Sequence, residues 1–129
     1  LASKAIFKNV DIFDLLEMCK TNGKEHFKAD IIVSNPPYIC EKEKADMEKN
    51  VLDHEPAIAL FVPDEDPLKF HRAIAEFASL ELRNWGMLYF EINPIYEKET
   101  REMLEGFGFK NIETKEDAFG KKRMMRAMK

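Results

Sequence analysis

Apolar residues in this chain occur both in short continuous runs and at helical spacing, a combination typical of α/β folds. The run at 29–34 contains three consecutive β-favouring residues, which predicts a strand buried on both faces. A second run, at 87–92, predicts another strand. Prolines follow both runs closely. Because proline has no backbone N–H, each strand should give way there to a loop at the same edge of the sheet.

Helical spacing of apolar residues predicts three amphipathic helices, at 12–20, at 67 to about 83 and at about 96–107. In the second helix we expect Asp66 to cap the amino end, with a proline in the first helical position. His71 lies off the apolar stripe of that helix, so we expect it at the surface.

The two ends of the chain complete the predicted sheet. A strand is expected at 5–10, and an antiparallel hairpin at 109–116 and 122–128, turning at Gly120. Strand–helix–strand units followed by a hairpin predict an α/β sheet that is mostly parallel with an antiparallel edge. The charged stretch 41–50 has few apolar anchors and should be a solvated helix or loop.

Composition narrows the class of protein. The chain has 129 residues, 45% of them hydrophobic, which suits one domain. A net charge of −4 argues against tight non-specific binding of nucleic acid. Cys19 and Cys40 lack metal-ligand spacing, so a reducing cytoplasm is expected. We expect no metal site, and no apolar run is long enough to predict a membrane span.

The loop after the first apolar run carries the candidate chemistry. Asn35 offers a side-chain amide, the two prolines offer carbonyl oxygens, and Tyr38 offers an aromatic face. The structural alternative is a strand that simply ends in a proline turn. We favour a binding site, because ligands bind at the carboxyl ends of parallel strands in α/β sheets.

Four motifs in order resemble those of the release-factor glutamine methyltransferases. Asn-Pro-Pro-Tyr at 35–38 is similar to that family's motif after an apolar strand, and 51–61 is similar to its Glu-Pro segment. The strand at 87–92 and the Asp, Gly and Arg of 117–123 are similar to its last strand-and-hairpin motifs. The resemblance covers nearly the whole chain, from about Val10 onward.

The resemblance implies the C-terminal part of a Rossmann-like class I methyltransferase domain that uses S-adenosyl-L-methionine, with strand order 3-2-1-4-5-7-6. Residues 1–129 would then form a partial domain, because the glycine-rich turn and the acidic residue that bind most of the cofactor would lie before Leu1. The two strands between 5–10 and 29–34 in that order would also be missing. We therefore expect the chain either to pair its open sheet edge with another copy or to move its N-terminal segment.

Site residues follow from the same resemblance. Asn35 and Pro36 would be catalytic, their two oxygens accepting both hydrogens of a glutamine amide and so orienting its nitrogen. The residues implied to bind the substrate, a glutamine in the Gly-Gly-Gln loop of peptide chain release factors, are Asn35, Pro36, Pro37, Tyr38, Glu55 and Pro56. Those implied to contact the cofactor are Asp11, Ile12 and Asn35.

Alternatives remain open for both the residues and the function. Asp11 could equally be a helix N-cap, with Ile12 in the core. An adenine N6-methyltransferase acting on nucleic acid would use the Asn-Pro-Pro-Tyr motif in the same way, although the acidic net charge of this chain favours the protein substrate. The third possibility is a non-catalytic fragment that acts as an interaction module. In each case we expect the isolated chain to bind the cofactor weakly or not at all.

Overall fold

This structure, a computed structural model, describes residues 4–21, 28–46 and 56–129. Short 3₁₀ turns occur at Glu41–Asp46 and Pro94–Tyr96. The helices and strands are α1 (Ile12–Thr21), β1 (Ala29–Ser34), β2 (Ile39–Cys40), α2 (Ala57–Leu60), β3 (Phe61–Val62), α3 (Lys69–Glu81), β4 (Leu82–Glu91), α4 (Glu97–Gly106), β5 (Lys110–Glu116) and β6 (Lys122–Met128).

Four strands form the main sheet in the order β1-β4-β6-β5. The β1–β4 pair is parallel, whereas β4–β6 and β5–β6 are antiparallel. This confirms the predicted α/β class and the C-terminal hairpin, and the order corresponds to 4-5-7-6 of the implied series. The sheet is mixed, because two of its three described pairings are antiparallel. Strands β2 and β3 form a separate parallel pair.

One face of the main sheet is covered by α3 and α4. Leu88 and Phe90 of β4 and Met125 of β6 are at most 3% exposed, and they pack against Ala78 of α3 and Leu104 of α4. These positions alternate along their strands, as expected for side chains on one face of a pleated sheet. Burying each large apolar side chain stabilises the fold by about 1.5–3 kcal/mol.

The opposite face of the sheet is largely exposed. Ile31 and Val33 of β1 are 60% and 75% exposed, and Met124 of β6 is 50% exposed. Val33 lies beside Tyr89, which lies beside Arg126, so these side chains share that face. The prediction that β1 is buried on both faces is therefore wrong. An apolar run cannot distinguish one covered face from two, because neighbouring elements decide coverage.

The N-terminal segment differs from its prediction. Residues 5–10 form no strand and are exposed, so the predicted strand is wrong. A strand needs a neighbour for its backbone groups, and this segment pairs with no strand of either sheet in the described part of the chain. The segment does not occupy the implied place in the main sheet. Pairing of β1 with a second copy stays a prediction.

Helix α3 also corrects three predictions in its first turns. It begins at Lys69 after Leu68, which makes no side-chain capping bond. Asp66 is therefore not the N-cap and Pro67 is not the first helical residue; the Asp66 carboxylate pairs with Arg72 at 3.0 Å. His71 is 1% exposed and not at the surface. Its ring contacts Phe90 and the carbonyl oxygen of Glu91 in β4, so α3 buries more than the single stripe that its periodicity indicates.

The first half of β4 is irregular, and its register with β1 shifts between Ala29 and Ile31. Trp85 has a φ of +72°, and a Cβ placed on Gly86 would lie 2.8 Å from the Arg83 carbonyl oxygen and 3.0 Å from that of Asp30. Only glycine fits this approach of two backbones. Strand β4 begins at Leu82, earlier than the apolar run at 87–92 predicts.

Candidate functional site

The Asn-Pro-Pro-Tyr loop leaves the carboxyl end of β1 beside the end of β4. Ser34, the last residue of β1, lies opposite Phe90 in the parallel pairing. Asn35 is exposed, and Pro36, directly after it, is buried. Asn35 also lines a cleft of about 800 Å³ on the exposed face of the sheet, together with Val33, Ser34, Tyr89, Phe90, Glu91, Glu113, Thr114, Lys115, Met124, Met125 and Arg126. The loop thus opens onto a cavity large enough for a side chain or small molecule.

The Asn35 side chain has no hydrogen-bond partner within the described parts of the chain. Its amide oxygen and nitrogen are therefore open to a ligand. An exposed carboxamide can accept two hydrogen bonds and donate two, which suits recognition of another carboxamide.

Tyr38 is fixed by its hydroxyl group. The hydroxyl donates to Glu91 Oε1 at 2.5 Å and accepts from Arg123 Nη1 at 3.4 Å. Burial, followed by the hydrogen bond to the Glu91 carboxyl, raises the pKa of Tyr38 to about 12. The tyrosine ring lies 6.3 Å from that of His71. At physiological pH Tyr38 therefore stays protonated and holds the loop to β4.

Arg123 is held in turn by Asp117. Asp117 Oδ2 accepts from Arg123 Nε at 3.1 Å, while its Oδ1 accepts the backbone N–H groups of Phe119 and Lys121 at 2.8 and 3.0 Å. The Lys121 N–H is the main cause that lowers the pKa of the Asp117 carboxyl. Asp117 therefore both caps the β5–β6 turn and anchors the arginine that reaches Tyr38.

The loop after β4, at the same edge of the sheet, holds the backbone of the Asn-Pro-Pro-Tyr loop. Asn93 Nδ2 donates to the carbonyl oxygen of Tyr38 at 3.0 Å and to Glu43 Oε2 at 3.0 Å. Glu43 Oε2 also accepts the backbone N–H of Cys40 at 2.7 Å. Asn93 is 4% exposed, so these bonds form largely away from water. Both ends of the Tyr38 residue, hydroxyl and carbonyl, are thus bound.

His71 contacts the end of β4 with both its ring and its Nε2–H group. Its Nε2–H donates to the carbonyl oxygen of Glu91 at 2.8 Å, and its ring packs edge-on against Phe90 at 5.0 Å. Burial lowers the pKa of His71, so the ring is neutral. Its Nδ1 is buried and finds no partner among the residues that the structure describes.

The residues implied to contact the cofactor sit at the start of α1. Asp11 Oδ1 accepts the backbone N–H of Phe13 at 2.7 Å, the geometry of an N-cap. Ile12 packs against the hydrophobic core. The structural alternative for these two residues is therefore present, and a cofactor contact stays a prediction.

Only part of the Glu-Pro segment lies among the described residues. Glu55 lies outside the described residues. Pro56 is exposed, and its carbonyl oxygen accepts the N–H of Ala59 at 3.0 Å in the first turn of α2. A substrate-binding role for both residues stays a prediction.

Sequence reasoning identified the loop but missed the groups that hold it. It gave no role to Glu43, Glu91 or Asn93, and it placed His71 at the surface. The available signal was the position of Asn93, directly before a proline in the second loop at the same edge of the sheet. Asp117 and Arg123 were identified only by resemblance.

Two classes of feature are absent from the described part of the chain. No group of three or more His, Cys, Asp or Glu side chains there could hold a metal ion. Over the same ranges, no helix has the length and apolar character needed to cross a membrane.

Comparison with known proteins tests the resemblance. A release factor glutamine methyltransferase of Bacteroides thetaiotaomicron is 46% identical over 127 residues, covering 98% of this chain and 44% of that protein. One of Flavobacterium psychrophilum is 46% identical over 122 residues, covering 95% of this chain and 43% of the relative. The family resemblance is confirmed. The chain spans less than half the length of these relatives.

A solved structure supports the fold. The protein-(glutamine-N5) methyltransferase (release factor-specific) from Alicyclobacillus acidocaldarius superposes with a TM-score of 0.52 at 20% identity, covering 92% of this chain and 56% of that one. No family model matches the chain. The strand order and the structural match together identify the fold as part of a Rossmann-like methyltransferase domain.

Proposed function

We propose that this chain provides the glutamine-binding part of a methyltransferase that methylates the N5 atom of a glutamine side chain in peptide chain release factors, at their Gly-Gly-Gln loop. The observation that carries the proposal is the free Asn35 amide at the open cleft, on a loop bound by Glu91 and Arg123 from two other motifs. Relatives named as release factor glutamine methyltransferases supply the substrate class.

The proposed reaction depends on orienting the amide nitrogen more than on acid–base catalysis. An amide nitrogen is a weak nucleophile because its lone pair is delocalised into the carbonyl group. The Asn35 side-chain oxygen and the Pro36 carbonyl would accept its two hydrogens, which opposes delocalisation and fixes the line of attack. Tyr38 would lie against the flat amide while its hydroxyl stays bound to Glu91.

The methyl donor implied by the family is S-adenosyl-L-methionine, which supplies an electrophilic sulfonium methyl group when bound. Asn35, Asp11 and Ile12 would contact it. The described residues fit only that part of a cofactor site, because none of their glycines forms a glycine-rich turn that leads from a strand into a helix. We therefore expect the isolated chain to bind the cofactor weakly or not at all and to be inactive. Calorimetric titration with S-adenosylmethionine tests this, and micromolar affinity would contradict it.

The decisive experiment places this chain in a complete enzyme. Residues 10–128 replace the aligned region of the Bacteroides thetaiotaomicron relative, and methylation of unmodified release factor is followed by mass spectrometry. Asn35→Ala should reduce the rate on the order of 10²-fold or more, as does loss of one charge-stabilising hydrogen bond. Asn84→Ala, an exposed asparagine in the first half of β4, is the matched control.

The outcomes separate the hypotheses. Methylation of release factor that survives Asn35→Ala rules out the proposed mechanism. Methylation of adenine in DNA, with release factor unmodified, supports the adenine N6 alternative. Absence of both activities in the chimaera supports a non-catalytic interaction module. The proposed setting is the reducing cytoplasm, where the free thiols of Cys19 and Cys40 would persist.

We also propose that the isolated chain associates with itself through β1. This strand pairs with β4 on one side and with no other described strand, and its Ile31 and Val33 side chains are exposed. Such an edge is a template for pairing with another chain.

A further inference from the structure

We propose that Arg123, anchored by Asp117, is a positioning residue for the methyl-transfer reaction. It fixes the hydroxyl of Tyr38 and, through the two prolines, the orientation of the Asn35 acceptor. The rate effect rests on the proposed function, whereas the ordering of the loop rests on contacts within this chain. The network joins residues 85 positions apart, Tyr38 and Arg123.

The direction of the Tyr38–Glu91 hydrogen bond requires a second group that donates to the Tyr38 hydroxyl oxygen. A tyrosine hydroxyl has one proton, and here it is given to Glu91. Its oxygen can then only accept, and the Arg123 guanidinium is the donor within reach in the described parts of the chain. An arginine cannot lose its proton in a protein, so it cannot reverse the bond. The chain of contacts therefore runs from the Asp117 carboxylate through the Arg123 guanidinium and the neutral phenol to the Glu91 carboxyl group, and it holds the phenol in one orientation.

The β5–β6 turn explains why Asp, Gly and Arg occur at these spacings. Asp117 accepts two backbone N–H groups within the turn, and Gly120 adopts a φ of +78° that favours glycine. Arg123 then follows at the start of β6, where its carbonyl oxygen accepts the N–H of Ile92 at 2.8 Å. The arginine is thus fixed by its backbone to Ile92, directly after β4, and by its side chain to the turn.

The two prolines transmit this constraint to Asn35. Proline fixes its own φ, and Pro37 restricts the conformation of Pro36 before it. The loop begins at Ser34, whose position is set by pairing with Phe90. With both the hydroxyl and the carbonyl of Tyr38 bound, few torsions remain free in the segment that carries Asn35. Releasing Tyr38 should therefore loosen Asn35 without disturbing the sheet.

The first test measures loop order in the isolated chain by ¹⁵N relaxation of the Tyr38 and Asn35 amides. In Arg123→Met the order parameters should fall from about 0.85 to below about 0.6, the values of rigid and flexible backbone. Arg123→Lys, which keeps a donor, should restore part of the order. The matched control is Arg83→Met, which removes an arginine bound to Asp30 at 3.0 Å at the opposite end of β4.

A double-mutant cycle tests whether Arg123 acts through the hydroxyl. In a Tyr38→Phe background, Arg123→Met should cause no further loss of order, because the shared bond is already absent. The proposal is overturned if Arg123→Met leaves both amides as ordered as in the wild type. It is also overturned if the loss is the same with Phe at position 38, or if the arginine control loses as much order.

The second test measures kinetics in the chimaeric enzyme. Arg123→Met should lower kcat about tenfold, as expected for loss of one charge-assisted hydrogen bond, while KM for release factor stays within about twofold. An unchanged kcat, or a change in KM alone, would overturn the role in catalysis. If the wild-type chimaera methylates nothing, the proposed function fails, and the relaxation experiment still decides the role of Arg123 in ordering the loop.

Discussion

Acidification from pH 7 to pH 5 should weaken the fold through His71. The ring is 1% exposed, its Nε2–H is bound to the Glu91 carbonyl oxygen, and burial lowers its pKa below the usual value of 6.5. The folded chain keeps the ring neutral at a pH where the unfolded chain takes up a proton. The stability contributed by this group is therefore complete above pH about 6.5 and is lost as the pH falls, until the folded ring also protonates.

The size of the effect follows from proton linkage. Within that window the unfolded state binds one more proton than the folded state, so the free energy of unfolding falls by at most about 1.4 kcal/mol per pH unit. Between pH about 6.5 and 5 the loss is at most about 2 kcal/mol, a sizeable part of the roughly 5–15 kcal/mol typical of a small domain. Asp117 and Glu97 have lowered pKa values and lose their contribution only at more acidic pH.

Urea denaturation followed by circular dichroism between pH 5 and 7.5 measures this dependence. The comparison variant is His71→Gln, whose side-chain N–H can still donate to the carbonyl oxygen of Glu91 but does not titrate. Wild type should lose stability toward pH 5 more steeply than the variant. The other two histidines remain in both proteins, so the difference isolates His71. Equal pH dependence in the two proteins would refute the reasoning.

Three further predictions concern stability and assembly. Gly86→Ala should cost about 2–4 kcal/mol in urea denaturation, because two backbone oxygens occupy the space of the added Cβ, whereas Gly106→Ala, with open space around it, should not destabilise. Arg101→Met should lower the free energy of unfolding by about 2 kcal/mol, because the guanidinium donates to Ile112 and Thr114 of β5 and to Glu97 on its own helix. The control Arg72→Met, at an exposed ion pair, should lower it by at most about 1 kcal/mol. Val33→Lys should convert a self-associated chain to a monomer in size-exclusion chromatography, and a wild-type monomer would contradict the proposed edge pairing.

Local pattern was sufficient for the elements whose signal lies in their own residues. The helix at Ile12–Thr21, the strand at Ala29–Ser34 and the terminal hairpin all form where the apolar pattern predicts them. The loop at 35–38 was also predictable, because a proline pair after an apolar strand restricts the backbone whatever surrounds it.

Features that depend on distant partners were not predictable from pattern. Residues 5–10 have a strand-like sequence but no neighbouring strand in the described part of the fold. His71 is polar yet buried, because its ring packs against Phe90 and bonds to the Glu91 carbonyl oxygen, contacts that the periodicity of its own helix cannot indicate. The role of Glu91 depends on its hydrogen bond to Tyr38, 53 positions earlier, and no local pattern predicts that contact.

The bond between Arg123 and Tyr38 has a consequence for how the chain is made. Translation proceeds from the amino terminus, so the Asn-Pro-Pro-Tyr loop leaves the ribosome 85 residues ahead of the arginine that holds it. In a nascent chain, Arg123 of β6 must be made before the phenol is fixed. Chains that stop before β6 should therefore carry the loop in an unordered state, so the site is ordered only after β6 has been synthesised.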